Sequence, residues 1–176
     1  MQKFIININA TRHKVILKLK ISKYSLKTSQ FPKTALILNK YLPTIFRNKC
    51  FNNANIPFVQ EVLNTEISHL FEHVLLENMC LIKIKYVDSV AYDGRTFWDI
   101  DQNNGEYRIE IQCHLYDWPI FIKALSKSIQ LMDLIMEGDI AATLPIKRST
   151  KINTLDHLDR SLNYLHESAR LADPQL

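Results

Sequence analysis

A chain of 176 residues that is 47% hydrophobic suits one packed domain and is too apolar to remain disordered. Its 22 basic and 18 acidic residues leave a net charge of +4; with no aromatic-basic motif beside it, this makes nucleic acid the least favoured partner. No apolar run reaches the roughly 18 residues of a membrane span, and Met1-Gln2-Lys3-Phe4 does not open a signal peptide, so a cytoplasmic protein without a membrane partner is expected.

Phe4 to Asn9 alternates Ile with polar residues, and His13 to Ser22 sets Val15, Leu17, Leu19 and Ile21 against Lys14, Lys18 and Lys20. This predicts an antiparallel strand pair with one solvated, basic face, turning at Ala10-Thr11-Arg12. From Pro32 the spacing becomes helical through Ala35, Leu38 and Leu42, stopping at Pro43. Asn52, Asn53 and Asn55 mark a loop, and Pro57 opens a helical stretch through Phe58, Val59, Val62 and Leu63. The next helix, with Asn64 or Thr65 as its cap, is expected to run to about Met79. Leu81 to Val87 then alternates like a strand. Thr96 to Ile100 and Tyr107 to His114 read as two more, with Asn104-Gly105 as a hairpin signal.

Asp117 and Pro119 open a long helix that is apolar nearly all round from Ile120 to Met136, which predicts burial, with Gly138 as its stop. Ala141 to Lys151 reads as a linker, and Leu155, Leu158, Leu162 and Leu165 as the stripe of a final amphipathic helix. The expected class is α+β, a mostly antiparallel sheet covered by helices, with one domain over 1–140 and a linker and C-terminal helix over 141–176. Only three glycines are present and none sits in a phosphate-binding loop, which argues against nucleotide chemistry. Cys50, Cys80 and Cys113 are too few and too widely spaced for a disulfide scaffold or a Cys-x-x-Cys knuckle, and are expected to be reduced and structural.

The chemistry concentrates in His69-Leu70-Phe71-Glu72-His73. At about 100° per residue from His69, His73 falls at about 40°, Glu72 at about 300° and Glu77 at about 80°, with Ile67, Leu70, Phe71, Val74 and Leu75 opposite. Two imidazoles one turn apart can bind one divalent metal, and the Glu between them can act as a general base; the order His-x-x-Glu-His is the inverted metallopeptidase signature. The same residues also suit the wet face of any amphipathic helix, but Leu76 and Cys80 in the same sector are more like a cleft wall. Glu77, roughly 12 Å along the axis from His69 at about 1.5 Å per residue, is the candidate third ligand or a partner that orients His73. Glu106, Glu110 and Gln112 are the competing donors, and Tyr86 and Tyr107 could add polar contacts.

Lys40-Tyr41-Leu42-Pro43-Thr44-Ile45, then Cys50, then Phe58-Val59, then Thr65 to Glu77 with the motif, resembles in content and order the amino-terminal domain of cyanophycin synthetases. The resemblance spans most of Leu38 to Met132 and is most specific in the motif helix. In that family the domain precedes an ATP-grasp module and a Mur-ligase-like module that extend an Asp/Arg polymer, and neither is present in this chain. The resemblance implies polymer holding, and in some members a metallopeptidase-like cut. It makes His69 and His73 metal ligands, Glu72 the general base and Glu77 the acidic residue closing the helix. Ser68 stands where the family commonly has Gly, and Gln112 where a later strand commonly has Glu.

Three expectations follow. The first is a zinc-dependent hydrolase of peptide or isopeptide bonds, with Glu72 moving the proton and a peptide-like or Asp/Arg polymer as substrate. The second is a non-catalytic module that grips such a polymer, or a protein partner, through Lys14, Lys18 and Lys20 and the acidic groups near the motif. The third makes the final helix a homodimer contact, with packing on its own domain as the plainer reading.

Overall fold

Strands that alternate apolar with polar residues bury one side only if they keep a common register. The computed structural model describes residues 4–21, 27–51, 56–101, 105–137 and 151–154. In it β1 (Phe4–Ala10) and β2 (Lys14–Ile21) pair antiparallel, with Ile6 opposite Leu19 and Ile8 opposite Leu17. β3 (Gly94–Asp101) and β4 (Glu106–Gln112) continue the antiparallel set, and β4 lies beside β2. At their connection Gly105 has φ 72°, a conformation other residues enter at a cost, and its carbonyl accepts from the Ile21 amide at 2.8 Å.

Ile6, Ile8, Val15, Leu17, Leu19, Ile21, Tyr107, Ile109 and Ile111 form the buried side of the sheet. The other side is polar, with Lys14 paired to Glu110 at 3.0 Å and Lys20 to Glu106 at 2.7 Å. The four antiparallel strands stand in the order β3-β4-β2-β1, and β5 (Lys151–Thr154) adds to β1 in parallel. Sequence pattern does not predict this fifth strand, since Lys151 reads as the end of a linker. Four residues are too short to display a period, and their pairing depends on β1 being there to receive them. Residues 141–150 and the helix expected around Leu155, Leu158, Leu162 and Leu165 lie outside the described residues.

The helices are α1 (Thr34–Tyr41), the single turn α2 (Phe58–Glu61), α3 (Ile67–Lys83) and α4 (Trp118–Glu137). Thus the α+β class stands: a mostly antiparallel sheet with helices against its apolar side. α3 packs on α4, β3 and β4. α4 is less enclosed than its apolar content predicts, since Phe121, Leu125, Met132 and Ile135 are buried while Ile122, Lys123 and Lys127 face outward. Among the described residues no helix is long and apolar enough to cross a membrane.

The strand predicted over Leu81 to Val87 is not formed; α3 continues to Lys83 and ends with Ile84 as its cap. Local alternation loses here to tertiary packing, because Ile82 extends the buried stripe of Leu75 and Met79 while Leu81 and Ile84 are exposed. The added turn also carries Lys83 to Asp117, the residue before α4, whose two carboxylate oxygens its ammonium reaches at 2.7 and 2.8 Å. Asp117 is 3% exposed, so removing Lys83 leaves a carboxylate with little water to take its place. Lys83→Met is expected to lower stability by about 3 kcal/mol, while Lys20→Met at the exposed pair costs under about 1 kcal/mol. Urea denaturation of the two variants beside the parent checks this order.

Candidate metal centre

Two of the donors come from one turn of α3, and a third arrives from a loop. The short helical turn Pro43–Arg47 after α1 leads into the segment that ends at Cys50. There the Cys50 Sγ lies 3.5 Å from the His69 Nε2, which is itself 3.2 Å from the His73 Nε2. All three atoms fall within 4.8 Å of one another, so Cys50, His69 and His73 could hold a metal ion. His69 and His73 are i and i+4 on a helix, the spacing that brings two rings over one turn. Cys50 was expected to be structural, with the other free cysteines; its place among the donors was legible only as a cysteine at this point of the family pattern.

Packing and hydrogen bonding fix the rings. Phe58, fully buried in α2, stacks on His73 with centroids 4.0 Å apart and planes at 23°. The Thr65 hydroxyl donates to the Glu61 carboxylate at 3.2 Å, so it accepts from the His69 Nδ1–H at 2.8 Å. This leaves the Nε2 lone pair of His69 directed at Cys50 and His73. The sequence predicts Asn64 or Thr65 as the helix cap. The cap position is Glu66, and Thr65 is turned to the imidazole instead. The Glu61, Thr65, His69 spacing of four was the available signal for this chain of contacts.

Burial acts on the two imidazoles in the same direction. Desolvation lowers the pKa of His69 against the pull of Glu61 and Glu66. Desolvation, helped by His69, lowers that of His73 to about 3. Both shifts favour the neutral imidazole, the form that metal ligation requires.

Glu72 leaves α3 on the β3 side, where its Oε2 accepts from the Thr96 Oγ1 at 2.5 Å. Burial pushes its pKa up to about 7, with the Thr96 hydrogen bond acting in the opposite direction. Gly94 packs closely beside this side chain: a Cβ there would stand 2.9 Å from the Ile111 Cδ1, 3.2 Å from the Leu76 Cδ1 and 3.3 Å from the Glu72 Cγ.

Glu77 is buried as well, but the structure does not bring it into the donor group. Glu106, Glu110 and Gln112 alternate with buried Tyr107, Ile109 and Ile111, so they occupy the outer face of the sheet, away from α3. Glu106 and Glu110 are there engaged by Lys20 and Lys14. Tyr107 is part of the core, and Tyr86 lies beyond α3 at 75% exposure.

Compared with known protein families, the chain matches the cyanophycin synthase-like N-terminal domain over residues 14–137, well over half its length. No curated protein and no solved structure matched it.

The close approach at position 94 is directly testable. Gly94→Ala must displace Ile111 and press on Leu76 and Glu72, and an overpacked core of this kind is expected to lose about 1–3 kcal/mol. Thermal and urea unfolding of the variant measures the loss.

Proposed function

The chain belongs to the cyanophycin synthase-like N-terminal domain family, and we propose that it is a zinc-dependent hydrolase of peptide or isopeptide bonds, with Asp/Arg polymers of the cyanophycin type as its substrate class. The observation that carries this reading is the convergence of the Cys50, His69 and His73 donor atoms within 4.8 Å.

One thiol and two imidazoles make a borderline-soft donor set that suits zinc better than magnesium or calcium. With bonds of about 2.3 Å to sulfur and 2.05 Å to nitrogen, a tetrahedral site sets S and N about 3.6 Å apart and two N about 3.3 Å apart. The separations of 3.5 and 3.2 Å fit these values. A bound ion would supply Lewis acidity at the scissile carbonyl.

The remaining work falls to this chain's own groups. Glu72, its pKa pushed up to about 7 by burial, can take a proton from the attacking water and return it to the leaving nitrogen as the C–N bond breaks and a C–O bond forms. Thr96 holds that carboxylate in one orientation, and Phe58 with the Glu61 and Thr65 pair holds the rings.

A second reading is a non-catalytic module for the same polymer. It draws support from the outer sheet face, where Lys14, Lys18, Lys20, Arg95 and Arg108 alternate with Glu106 and Glu110, a mixed charge pattern suited to a chain bearing both carboxylates and guanidinium groups.

Protein purified without a metal-affinity tag is expected to carry one zinc per chain and to release dipeptides or shorter chains from the polymer. Glu72→Gln should lower turnover by about a hundredfold or more with metal content retained. Cys50→Ser should lower metal content itself. Absence of stoichiometric metal at neutral pH defeats the hydrolase reading, and polymer affinity retained in a His69→Ala, His73→Ala double variant then favours the binding module.

A further inference from the structure

A second pair of imidazoles meets at the end of the sheet, built from residues that the Cys50 centre does not use. His13 immediately precedes β2 and His114 lies two residues beyond β4, and the antiparallel register sets Lys14 opposite Gln112, so the two histidines flank adjacent strand ends. The Cys113 amide donates to the His13 carbonyl at 3.0 Å, which ties the two segments together. Their Nδ1 atoms stand 3.2 Å apart, and the rings meet edge to face with centroids at 5.3 Å. Tyr116 stacks on His114 at 5.2 Å with an interplanar angle of 8°, which limits rotation of that ring.

We propose that His13 and His114 form a surface chelate for a borderline divalent transition-metal ion such as Ni2+, Cu2+ or Zn2+. The geometry matches on bite alone: with metal–nitrogen bonds of about 2.05 Å, two nitrogens 3.2 Å apart subtend roughly 103°, between the square and tetrahedral ideals. The same 3.2 Å separates the ring nitrogens of the buried centre.

The environments differ. Both rings here are exposed, and among the described residues no carboxylate or thiol joins them in a three-donor group. The surface chelate therefore leaves its other coordination positions to water or to a donor from outside. It holds an ion more weakly than the buried centre and offers nothing to the hard ions calcium and magnesium, which require oxygen ligands. A single N–H···N hydrogen bond between two neutral rings would give the same separation, and metal titration tells the two apart.

Ni2+ is titrated into the full chain, with its binding followed by calorimetry. His13→Gln and His114→Gln, each at an exposed position, are both expected to weaken one equivalent of Ni2+ by about tenfold or more, the effective concentration that the second ring of a chelate supplies. Cys50→Ser is expected to leave that equivalent in place, so the result stands or falls independently of the buried centre. In the unmodified chain, Ni2+ should broaden the imidazole NMR signals of His13 and His114 ahead of those of His157 and His166. Unchanged Ni2+ affinity in both Gln variants, or broadening of His157 and His166 first, overturns the assignment.

Discussion

A helix enclosed on nearly every side has no water to satisfy its polar side chains, and α3 is such a helix, with 12 of its 17 residues buried between the sheet, α4 and the segment around α2. An unmatched polar group there costs of the order of 1–3 kcal/mol; the Ser68 Oγ is left without a hydrogen-bond partner among the described residues, while several others are matched from the helix itself or from a neighbouring element. Asn78 donates to Val74 and to Ser128 of α4, Glu72 accepts from Thr96 of β3, and His69 reaches Thr65. That cost explains why residues scattered over the sequence meet at this one helix. The candidate centre lies within this arrangement: the Nε2 atoms of His69 and His73 stand 3.2 Å apart with the Cys50 Sγ 3.5 Å from that of His69, a separation that one N–H···N hydrogen bond or a shared ion can fill.

The same burial sets the electrostatics. Desolvation drives histidines and carboxylates alike toward their uncharged forms, which is why His69 and His73 are pushed down while Glu72 is pushed up. An ion pair also stands close to the core. Asp117 is paired there by Lys83, which reaches both of its oxygens, and the Lys83 ammonium also lies 5.3 Å from the Tyr92 ring and 5.2 Å from that of Tyr116. That cluster ties the end of α3 to the start of α4, and it also places Tyr116 beside His114. The mechanical frame of the fold and the second pair of imidazoles thus share a side chain.

The outer face of the sheet follows a different rule. Nothing among the described residues covers it, so its charges remain in water and pair across strands: Lys14 with Glu110, Lys20 with Glu106. The Arg108 guanidinium lies 4.4 Å from the Phe97 ring, an aromatic that would otherwise stand half-exposed. A face that looked basic when β2 was read alone is mixed in sign once β4 is beside it.

What the sequence determined by itself were the features carried by short-range period. These are the alternation that made β1, β2 and β4, the proline and glycine punctuation around α1 and the β3–β4 connection, and the i, i+4 histidines that had to share one face of a helix. Tertiary structure decided every point at which two segments distant in sequence compete or combine. It extended α3 through a stretch that alternates like a strand, because Ile82 gained a core and Lys83 a carboxylate. It turned Glu106, Glu110 and Gln112 away from the motif helix, since the phase of a strand is set by which side its partners bury. It also drew Cys50, 19 residues before His69, into the donor group while leaving Glu77 outside it. Local spacing tells which side chains share a face of one element; only the packing of several elements tells what stands opposite.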